Sequence, residues 1–259
     1  MAQRPVLTQS MFERLAPPVQ RALWELGWKG LRETQAQALP LILDTRDDVV
    51  ISAVTAAGKT EAAFLPLLTR LWCGNPMTGG ADRSSTDTTR TPQGMVLYVA
   101  PVKALINDQV ERLQLFCERM DIPVYPWHGD VGPSLRKRFF ADPRGVVLIT
   151  PESLEALLFR RGADLRQIFT ALQAVVVDEL HAFIGSVRGR QLQSLLHRLE
   201  MQLGQRVQRI GLSATLGDMG LAAEFLRPGH GNGVHIIATS GEKRNLQLVD
   251  SQLDSLKAI

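Results

Sequence analysis

The chain has 259 residues, of which 45% are hydrophobic and 21% are charged, a balance typical of a soluble globular protein with a full core. The 29 basic and 26 acidic residues give a net charge of +3, which tolerates a polyanionic partner without indicating one. The two cysteines exclude a disulfide scaffold and lack metal-site spacing, so they predict free thiols in a reducing compartment. No apolar run reaches transmembrane length and residues 1–10 are polar, so we expect a cytoplasmic protein without a membrane partner.

The N-terminal segment through Asp44 predicts helices that form a layer in front of a sheet. Four apolar side chains repeat at near-helical spacing: Phe12, Leu15, Val19 and Leu23. A second helix is predicted from Gln35 to Leu43, past Pro40. Trp24 and Trp28 are interpreted as packing residues of these helices.

A short apolar strand over residues 47–52 leads into a loop that reads Ala-Val-Thr-Ala-Ala-Gly-Lys-Thr over residues 53–60, and a helical pattern follows. Gly58 lets the backbone approach a phosphate, Lys59 can reach the β and γ oxygens, and the Thr60 hydroxyl can bind Mg²⁺. A loop between a strand and a helix also collects anions on its backbone N–H groups. The alternative is an ordinary strand-to-helix turn, because Ala53 stands where the full signature has its first glycine.

Residues 73–94 are rich in Gly, Pro, Ser, Thr and Asp and nearly lack large apolar side chains, so we expect a mobile surface insertion. Elsewhere continuous apolar runs alternate with helical patterns, which is typical of a parallel sheet covered on both faces. The runs are Val49–Ala53, Met95–Ala100, Val146–Thr150, Ala174–Val177 and Ile210–Leu212. Ligands of such folds bind outside the carboxyl ends of the strands.

Two carboxylates and an imidazole follow one of these runs, in the sequence Asp178-Glu179-Leu180-His181. This set suits ATP hydrolysis: Asp178 is the natural ligand for Mg²⁺, and Glu179 would orient and deprotonate the attacking water. The alternative is that both carboxylates cap the following segment. The phosphate-type loop earlier in the same chain favours the catalytic interpretation.

Taken in order, these segments resemble the first RecA-like motor domain of superfamily-two helicases of the DEAD/DEAH-box class, closest to the large helicase-related (Lhr-type) branch. Residues 178–181 look like the D-E-x-H motif, residues 213–215 like the third motif, and Gly27-Trp28 with Thr34-Gln35 like the adenine-sensing Q motif. Residues 101–109 and 150–154 look like the segments that hold the nucleic-acid backbone, with a strand-contacting turn at Gly129-Asp130. The match runs from about Trp24 to Thr215.

The resemblance implies an α/β fold, a RecA-like three-layer α/β/α sandwich with a mostly parallel sheet. It also implies three regions: a helical layer over residues 1–44, an ATP-binding domain over residues 45–240, and a strand or linker over residues 241–259 toward a second RecA-like domain. That second domain carries arginines that complete the ATP site. The implied activity is ATP hydrolysis coupled to unwinding or translocation, with ATP, Mg²⁺ and nucleic acid, DNA or RNA, as ligands.

The resemblance also assigns residues to roles. The expected ATP-binding residues are Gln35, Ala56, Ala57, Gly58, Lys59 and Thr60, with Thr60 and Asp178 on Mg²⁺ and with Lys59, Asp178 and Glu179 in catalysis. The expected nucleic-acid contacts are Pro101, Lys103, Gly129, Thr150, Pro151 and Ser153. His181, Ser213 and Thr215 would couple the two sites, with His181 hydrogen-bonded to the hydroxyls. Thr150 and Pro151 also fit a simple helix start, and both interpretations can hold together.

Other patterns stay open. The basic clusters at residues 136–138, 160–161 and 188–190 are either solvated faces or binding sites. Trp127 and His128 either stack on a base or belong to the core. Two further functions are compatible with the motifs: a nucleotide-binding subunit of a split motor, and a motor subunit of a nuclease or defence complex that translocates without unwinding.

Overall fold

The computed structural model describes residues 10–53, 58–73, 93–214 and 218–239. Seven strands in these residues form one sheet in the order β3-β4-β2-β5-β6-β1-β7, and every neighbouring pair is parallel. The strands are β1 (Val49–Ala53), β2 (Met95–Val99), β3 (Val124–Trp127), β4 (Gly145–Ile149), β5 (Leu172–Val177), β6 (Gln208–Ser213) and β7 (His235–Thr239). Because all seven run in one direction, their carboxyl ends meet at one edge of the sheet.

The described helices cover both faces of this sheet. They are α1 (Pro17–Glu25), α2 (Glu33–Asp44), α3 (Lys59–Cys73), α4 (Lys103–Cys117), α5 (Pro133–Ala141), α6 (Pro151–Arg160), α7 (Leu165–Ile168), α8 (Val187–Leu203) and α9 (Met219–Leu226). Side chains of β2 alternate between two hydrophobic clusters, with Val96 and Tyr98 packing with helices α1 to α4, and Leu97 and Val99 packing with α5 to α9. This is the three-layer α/β/α sandwich that the sequence predicts.

The predicted apolar runs correspond to β1, β2, β4, β5 and β6, whereas β3 and β7 were not predicted. Both lie at the ends of the strand order. In β3, Tyr125 and Trp127 are buried while Val124 and Pro126 are only partly so. In β7, His235 and Ile236 are exposed. An edge strand lacks full burial on both faces, so it does not read as a continuous apolar run.

The N-terminal helices pack closely against α3. The backbone N–H of Ala16 donates to Thr69 Oγ1 at 3.1 Å, and the buried Arg70 guanidinium donates to the Ile42 carbonyl at 2.9 Å. Helix α1 begins at Pro17, so Phe12 and Leu15 lie before it rather than in one continuous helix. The interpretation of Trp24 as a packing residue is wrong, because its side chain is 81% exposed.

Both cysteines are buried thiols that form no disulfide, and each ends a helix: Cys73 ends α3 and Cys117 ends α4. Burial and the charge of Glu118 raise the pKa of Cys117 to about 12. Most of the predicted insertion, residues 74–92, lies outside the described residues, as does the predicted linker at residues 241–259. None of the helices in the described part of the chain has the length and apolar character that crossing a bilayer requires.

Candidate functional site

The carboxyl edge of the sheet carries the predicted site segments. Gly58 to Thr60 come after β1, Pro101 and Lys103 after β2, Gly129 after β3, Thr150 to Ser153 after β4, and Asp178 and Glu179 after β5, while Ser213 ends β6. Segments far apart in the sequence therefore open onto one side of the molecule. Ala56, Ala57 and Thr215 lie outside the described residues.

The residue before α3 has a backbone conformation that favours glycine. Gly58 has φ +76, and a Cβ there would lie 2.6 Å from Gln35 Nε2, so only glycine fits without a shift. Lys59 is the first residue of α3, and its ammonium group donates to the carbonyl of Ala53 at 2.8 Å. The lysine thus reaches back to the end of β1, where it can exchange this carbonyl for an anionic ligand.

Gln35 connects the N-terminal layer to this loop. Its side chain is 1% exposed, its Oε1 accepts the backbone N–H of Arg32 at 2.9 Å, and its Nε2 lies 3.5 Å from the Gly58 carbonyl. The amide therefore fixes the start of α2 against the turn that precedes Lys59. This contact is consistent with the expected role of Gln35 at the nucleotide.

Asp178 is buried at the end of β5, where the Tyr98 hydroxyl donates to its carboxylate. Burial raises the pKa of Asp178 above its ordinary value, although the Tyr98 hydrogen bond and the charge of Lys59 oppose that effect. A buried carboxylate supplies the hard oxygen donors that Mg²⁺ prefers, a threonine hydroxyl can add another, and a divalent cation would offset the cost of burying this charge. The donors of Asp178 and Thr60 therefore fit the predicted metal.

Glu179 has an unusual backbone. Its φ is 47° and its ψ is 47°, a left-handed conformation that costs a residue with a Cβ free energy. The carboxylate Oε2 lies 3.2 Å from His181 Nδ1, which also lies 3.4 Å from the backbone N–H of Ala214. Nδ1 needs a proton to donate to Glu179 and must lack one to accept from Ala214, so the imidazole serves one partner at a time.

The end of β6 differs from the expected coupling geometry. The hydrogen bond from this segment to His181 comes from Ala214 N–H rather than from the Ser213 hydroxyl. Ser213 Oγ is buried and has no hydrogen-bond partner among the residues that the structure describes. The neighbouring Ser52 hydroxyl donates to the Ala214 carbonyl at 3.3 Å. The segment is thus held from both sides, by β1 and by His181.

Two of the predicted nucleic-acid segments meet in an ion pair. Lys103 Nζ lies 3.0 Å from Asp130 Oδ2, and a Cβ at Gly129 would lie 3.8 Å from the same ammonium group. The hydrogen bond and charge of Lys103 lower the pKa of the exposed Asp130 carboxyl. The turn at Gly129 and the start of α4 therefore form one surface with Lys103 at its centre.

The start of α6 confirms the helix-start interpretation of its sequence. Thr150 is the N-cap and its hydroxyl accepts the backbone N–H of Ser153 at 3.3 Å, with Pro151 at the first helical position. A capped N-terminus at the ligand edge is also where an anion is favoured. Both interpretations of Thr150 and Ser153 are therefore compatible with this geometry.

Sequence reasoning missed two side chains that organise the site. Tyr98 lies inside an apolar run, where nothing signals its bond to Asp178. Arg188 forms a two-pronged ion pair with Glu152, at 2.5 and 2.9 Å, which joins the start of α8 to α6 and lowers the pKa of the Glu152 carboxyl. Arg188 was noted only as part of a basic cluster, because its partner is 36 positions away.

Comparison with known proteins decides the family, because the sequence profile of the DEAD/DEAH box helicases matches residues 32–221. The chain belongs to the DEAD/DEAH box helicase family. Over 206 residues it is 36% identical to the Lhr helicase/probable uracil glycosylase of Mycolicibacterium smegmatis, across 74% of this chain and 12% of that protein. It is 33% identical over 192 residues to the Lhr helicase/uracil glycosylase of Escherichia coli, across 70% of this chain and 12% of that protein.

A solved structure of the Mycobacterium smegmatis helicase Lhr, bound to ssDNA and AMP-PNP, superposes with a TM-score of 0.70 at 30% identity. The match covers 89% of this chain and 28% of that one. The predicted resemblance and the RecA-like fold class are thereby confirmed, and membership of the DEAD/DEAH box helicases implies the use of ATP. The chain spans 12% of the length of each of the two curated relatives.

Proposed function

We propose that this chain is the ATP-binding motor domain of an enzyme that couples ATP hydrolysis to unwinding or translocation of a nucleic acid. The observation that carries the proposal is the shared carboxyl edge of the sheet, where the Lys59 loop, the Asp178-Glu179 pair and the start of α6 all lie. The ssDNA and AMP-PNP bound to the related Lhr helicase support a nucleic-acid strand and an adenine nucleotide as the ligands.

The nucleotide site is proposed from the residues around Gly58. Backbone N–H groups of residues 56–58 and the Lys59 ammonium group bind the phosphates, and Gln35 holds the loop against α2. Thr60 and Asp178 hold Mg²⁺. When bound, ATP supplies the phosphoryl group that passes to water, and Mg²⁺ neutralises charge on the phosphates.

Glu179 is the proposed general base. Its carboxylate is 36% exposed, so it can orient an attacking water and accept its proton. His181, which contacts both Glu179 and Ala214, links this step to the end of β6, where Ser213 and Thr215 are proposed to respond. A change at the carboxylate can therefore alter the segment after β6 without a long chain of contacts.

The proposed nucleic-acid contacts are to the backbone of the strand. Lys103 and the hydroxyls of Thr150 and Ser153 are donors that suit phosphate oxygens of any sequence, and Pro101, Gly129 and Pro151 shape the turns around them. Such contacts carry no base information, so either DNA or RNA is compatible with them.

We further propose that a second RecA-like domain, in the same polypeptide or in another, completes the ATP site with arginines. The much greater length of the relatives supports this partner. The two buried thiols, which form no disulfide, suit a reducing compartment such as the cytoplasm.

Nucleotide binding and turnover test the proposal directly. Lys59→Ala should weaken binding of a fluorescent ATP analogue by at least about tenfold, because one charge-assisted contact to phosphate is lost, whereas Glu179→Gln should bind as the wild type does. Steady-state ATPase of residues 1–259 should stay low with single-stranded oligonucleotide and rise when the second domain is supplied. Unchanged nucleotide affinity of Lys59→Ala would refute the loop assignment, and robust stimulated turnover by residues 1–259 alone would refute the need for a second domain.

A strand-displacement assay on the completed enzyme separates the two modes of movement. Displacement of a labelled strand supports unwinding. Progress along a single strand without displacement supports a translocating motor of a larger complex.

A further inference from the structure

A cavity of about 630 Å³ lies between α5 and α6, next to the end of β3. Its wall carries the basic side chains of Arg136, Lys137, Arg160 and Arg161 and a single carboxylate, Glu152. Glu152 is already paired with Arg188. Arg161 has a carboxylate partner outside the wall, Asp164 at 3.6 Å, so the excess of positive charge comes from Arg136, Lys137 and Arg160.

Two of these guanidinium groups are held in place by aromatic rings. The Arg136 guanidinium lies 5.8 Å from the centre of the Trp127 ring and donates to the His128 carbonyl at 3.1 Å. The Arg161 guanidinium lies 4.4 Å from the centre of the Phe140 ring. The two rings contact each other edge to face at 5.4 Å. Because the rings already restrict the two arginines, less side-chain entropy is lost when a ligand binds them.

One donor position in the same wall lacks a partner. Arg136 Nε is buried and forms no hydrogen bond with any residue that the structure describes. A buried donor without an acceptor is costly, and an anionic oxygen is the acceptor that binds such groups most strongly.

We infer that this cavity binds a backbone phosphate of the nucleic acid, beyond the contacts proposed above. Gly129 and Ser153 are proposed nucleic-acid contacts and also line the cavity, so a strand that crosses them reaches the cavity. A base would need an open aromatic face, but guanidinium groups lie over Trp127 and Phe140. The cavity therefore selects phosphate rather than base. This inference rests on the proposed function, because it requires a nucleic-acid strand at the carboxyl edge.

Fluorescence anisotropy of a labelled single-stranded oligonucleotide with residues 1–259 tests the site. Arg136→Gln and Arg161→Gln should each lower affinity about tenfold and reduce the slope of log affinity against log salt by about 0.7. Arg160→Glu changes an exposed cavity residue that supports no ring, so it should weaken binding even if the Arg136 variant unfolds. Arg198→Gln is the matched control, because Arg198 is exposed on α8, outside the cavity wall.

The outcomes separate this inference from the proposed function. If the wild type binds the oligonucleotide and the cavity variants bind as Arg198→Gln does, the phosphate site is refuted and the proposed function stands. If the wild type binds no nucleic acid, both are refuted. A forked substrate identifies the source of the phosphate. If the cavity variants lose affinity for both the single strand and the fork, the phosphate belongs to the single strand. If they lose affinity for the fork alone, the phosphate belongs to the duplex arm.

Discussion

Lys103, the side chain expected to meet a phosphate, already has an anionic partner in Asp130, 3.0 Å away. Any phosphate must compete with this carboxylate, which is charged at neutral pH and whose pKa Lys103 lowers further. The exposed pair itself contributes little to stability, so the competition is weak enough for a ligand to overcome.

Asp130→Asn should therefore strengthen binding of a single-stranded oligonucleotide by about two- to fivefold, the range expected for one exposed ion pair. The measurement is anisotropy at low and moderate salt. Glu111→Gln removes the same charge from an exposed position on α4, outside residues 101–109, and serves as the control. Equal affinities of the two variants would show that Asp130 does not restrain Lys103.

The left-handed backbone of Glu179 is the second feature at this scale. Glycine adopts that conformation without a steric penalty, so Glu179→Gly should raise the free energy of unfolding by up to about 1 kcal/mol over Glu179→Gln, which keeps the Cβ. Both variants lose the carboxylate, so the comparison isolates the backbone. Urea denaturation measures the difference, and a Glu179→Gly chain that is less stable than Glu179→Gln would contradict the interpretation as strain.

At the scale of elements, one buried carboxylate ties several of them together. Asp48, directly before β1, is 0% exposed, and its oxygens accept from Arg227 Nε at 2.5 Å, Arg206 Nη2 at 2.8 Å and the backbone N–H of Arg209 at 2.7 Å. Glu200 of α8 pairs with Arg209 of β6 and with Arg227 after α9. The network therefore locks β1, β6, α8 and α9 on the side away from the ligand edge.

The network predicts a pH dependence of stability. Burial raises the pKa of Asp48, but the hydrogen bonds from Arg227 and Arg209 and the charges of Arg227 and Arg206 outweigh it, so the pKa in the folded state is lowered. Its stabilising contribution is then fully present above the unfolded pKa of about 3.9 and is lost as the pH falls through the lower folded value.

Asp48→Asn should lower the free energy of unfolding at pH 7 by about 3–5 kcal/mol, because it leaves buried arginines without their counter-ion. It should also flatten the decline of stability below about pH 4. Urea denaturation across a pH series tests both effects, with the half-exposed Asp47→Asn as the control. A decline as steep as that of the wild type would assign the acid sensitivity to other carboxylates.

Sequence patterns predicted the central strands because Val49–Ala53 and its counterparts are apolar on both faces, a property of buried parallel strands. The edge strands β3 and β7 escaped detection because several side chains of each are not buried in the core. The start of α1 escaped because the spacing of Phe12 and Leu15 continues through a break that only the prolines at residues 17–18 mark. The spacing of apolar residues indicates which side chains are buried, but it does not show whether they belong to one continuous helix.

The residues of the candidate site were predictable where the chemistry is local, as in Gly58 to Thr60 or Asp178 and Glu179. Partners that meet only in three dimensions were not predictable. Tyr98 reaches Asp178 across 80 positions and Arg209 binds Asp48 across 161, and neither carries a local signal. Whether such distant residues come into contact depends on the order of the strands in the sheet.

At the scale of the whole molecule, the parallel sheet separates the ligand edge from the opposite edge. Five strand ends and the end of β6 bring the proposed ATP and nucleic-acid residues to one side. The opposite edge carries Thr170 and Gln205, both exposed, beside the start of β5 and β6. The residues of the opposite edge therefore lie apart from the proposed ligand residues.

Because both native thiols are buried, a cysteine introduced at that opposite edge can be labelled selectively. Cys73 and Cys117 are the two cysteines of the chain, and burial keeps the Cys117 thiol protonated with a pKa of about 12. A cysteine introduced by Thr170→Cys would be the one exposed thiol, and a maleimide dye would attach there without removal of either native cysteine. The labelled chain would report on tumbling and docking while the ligand edge stays unmodified.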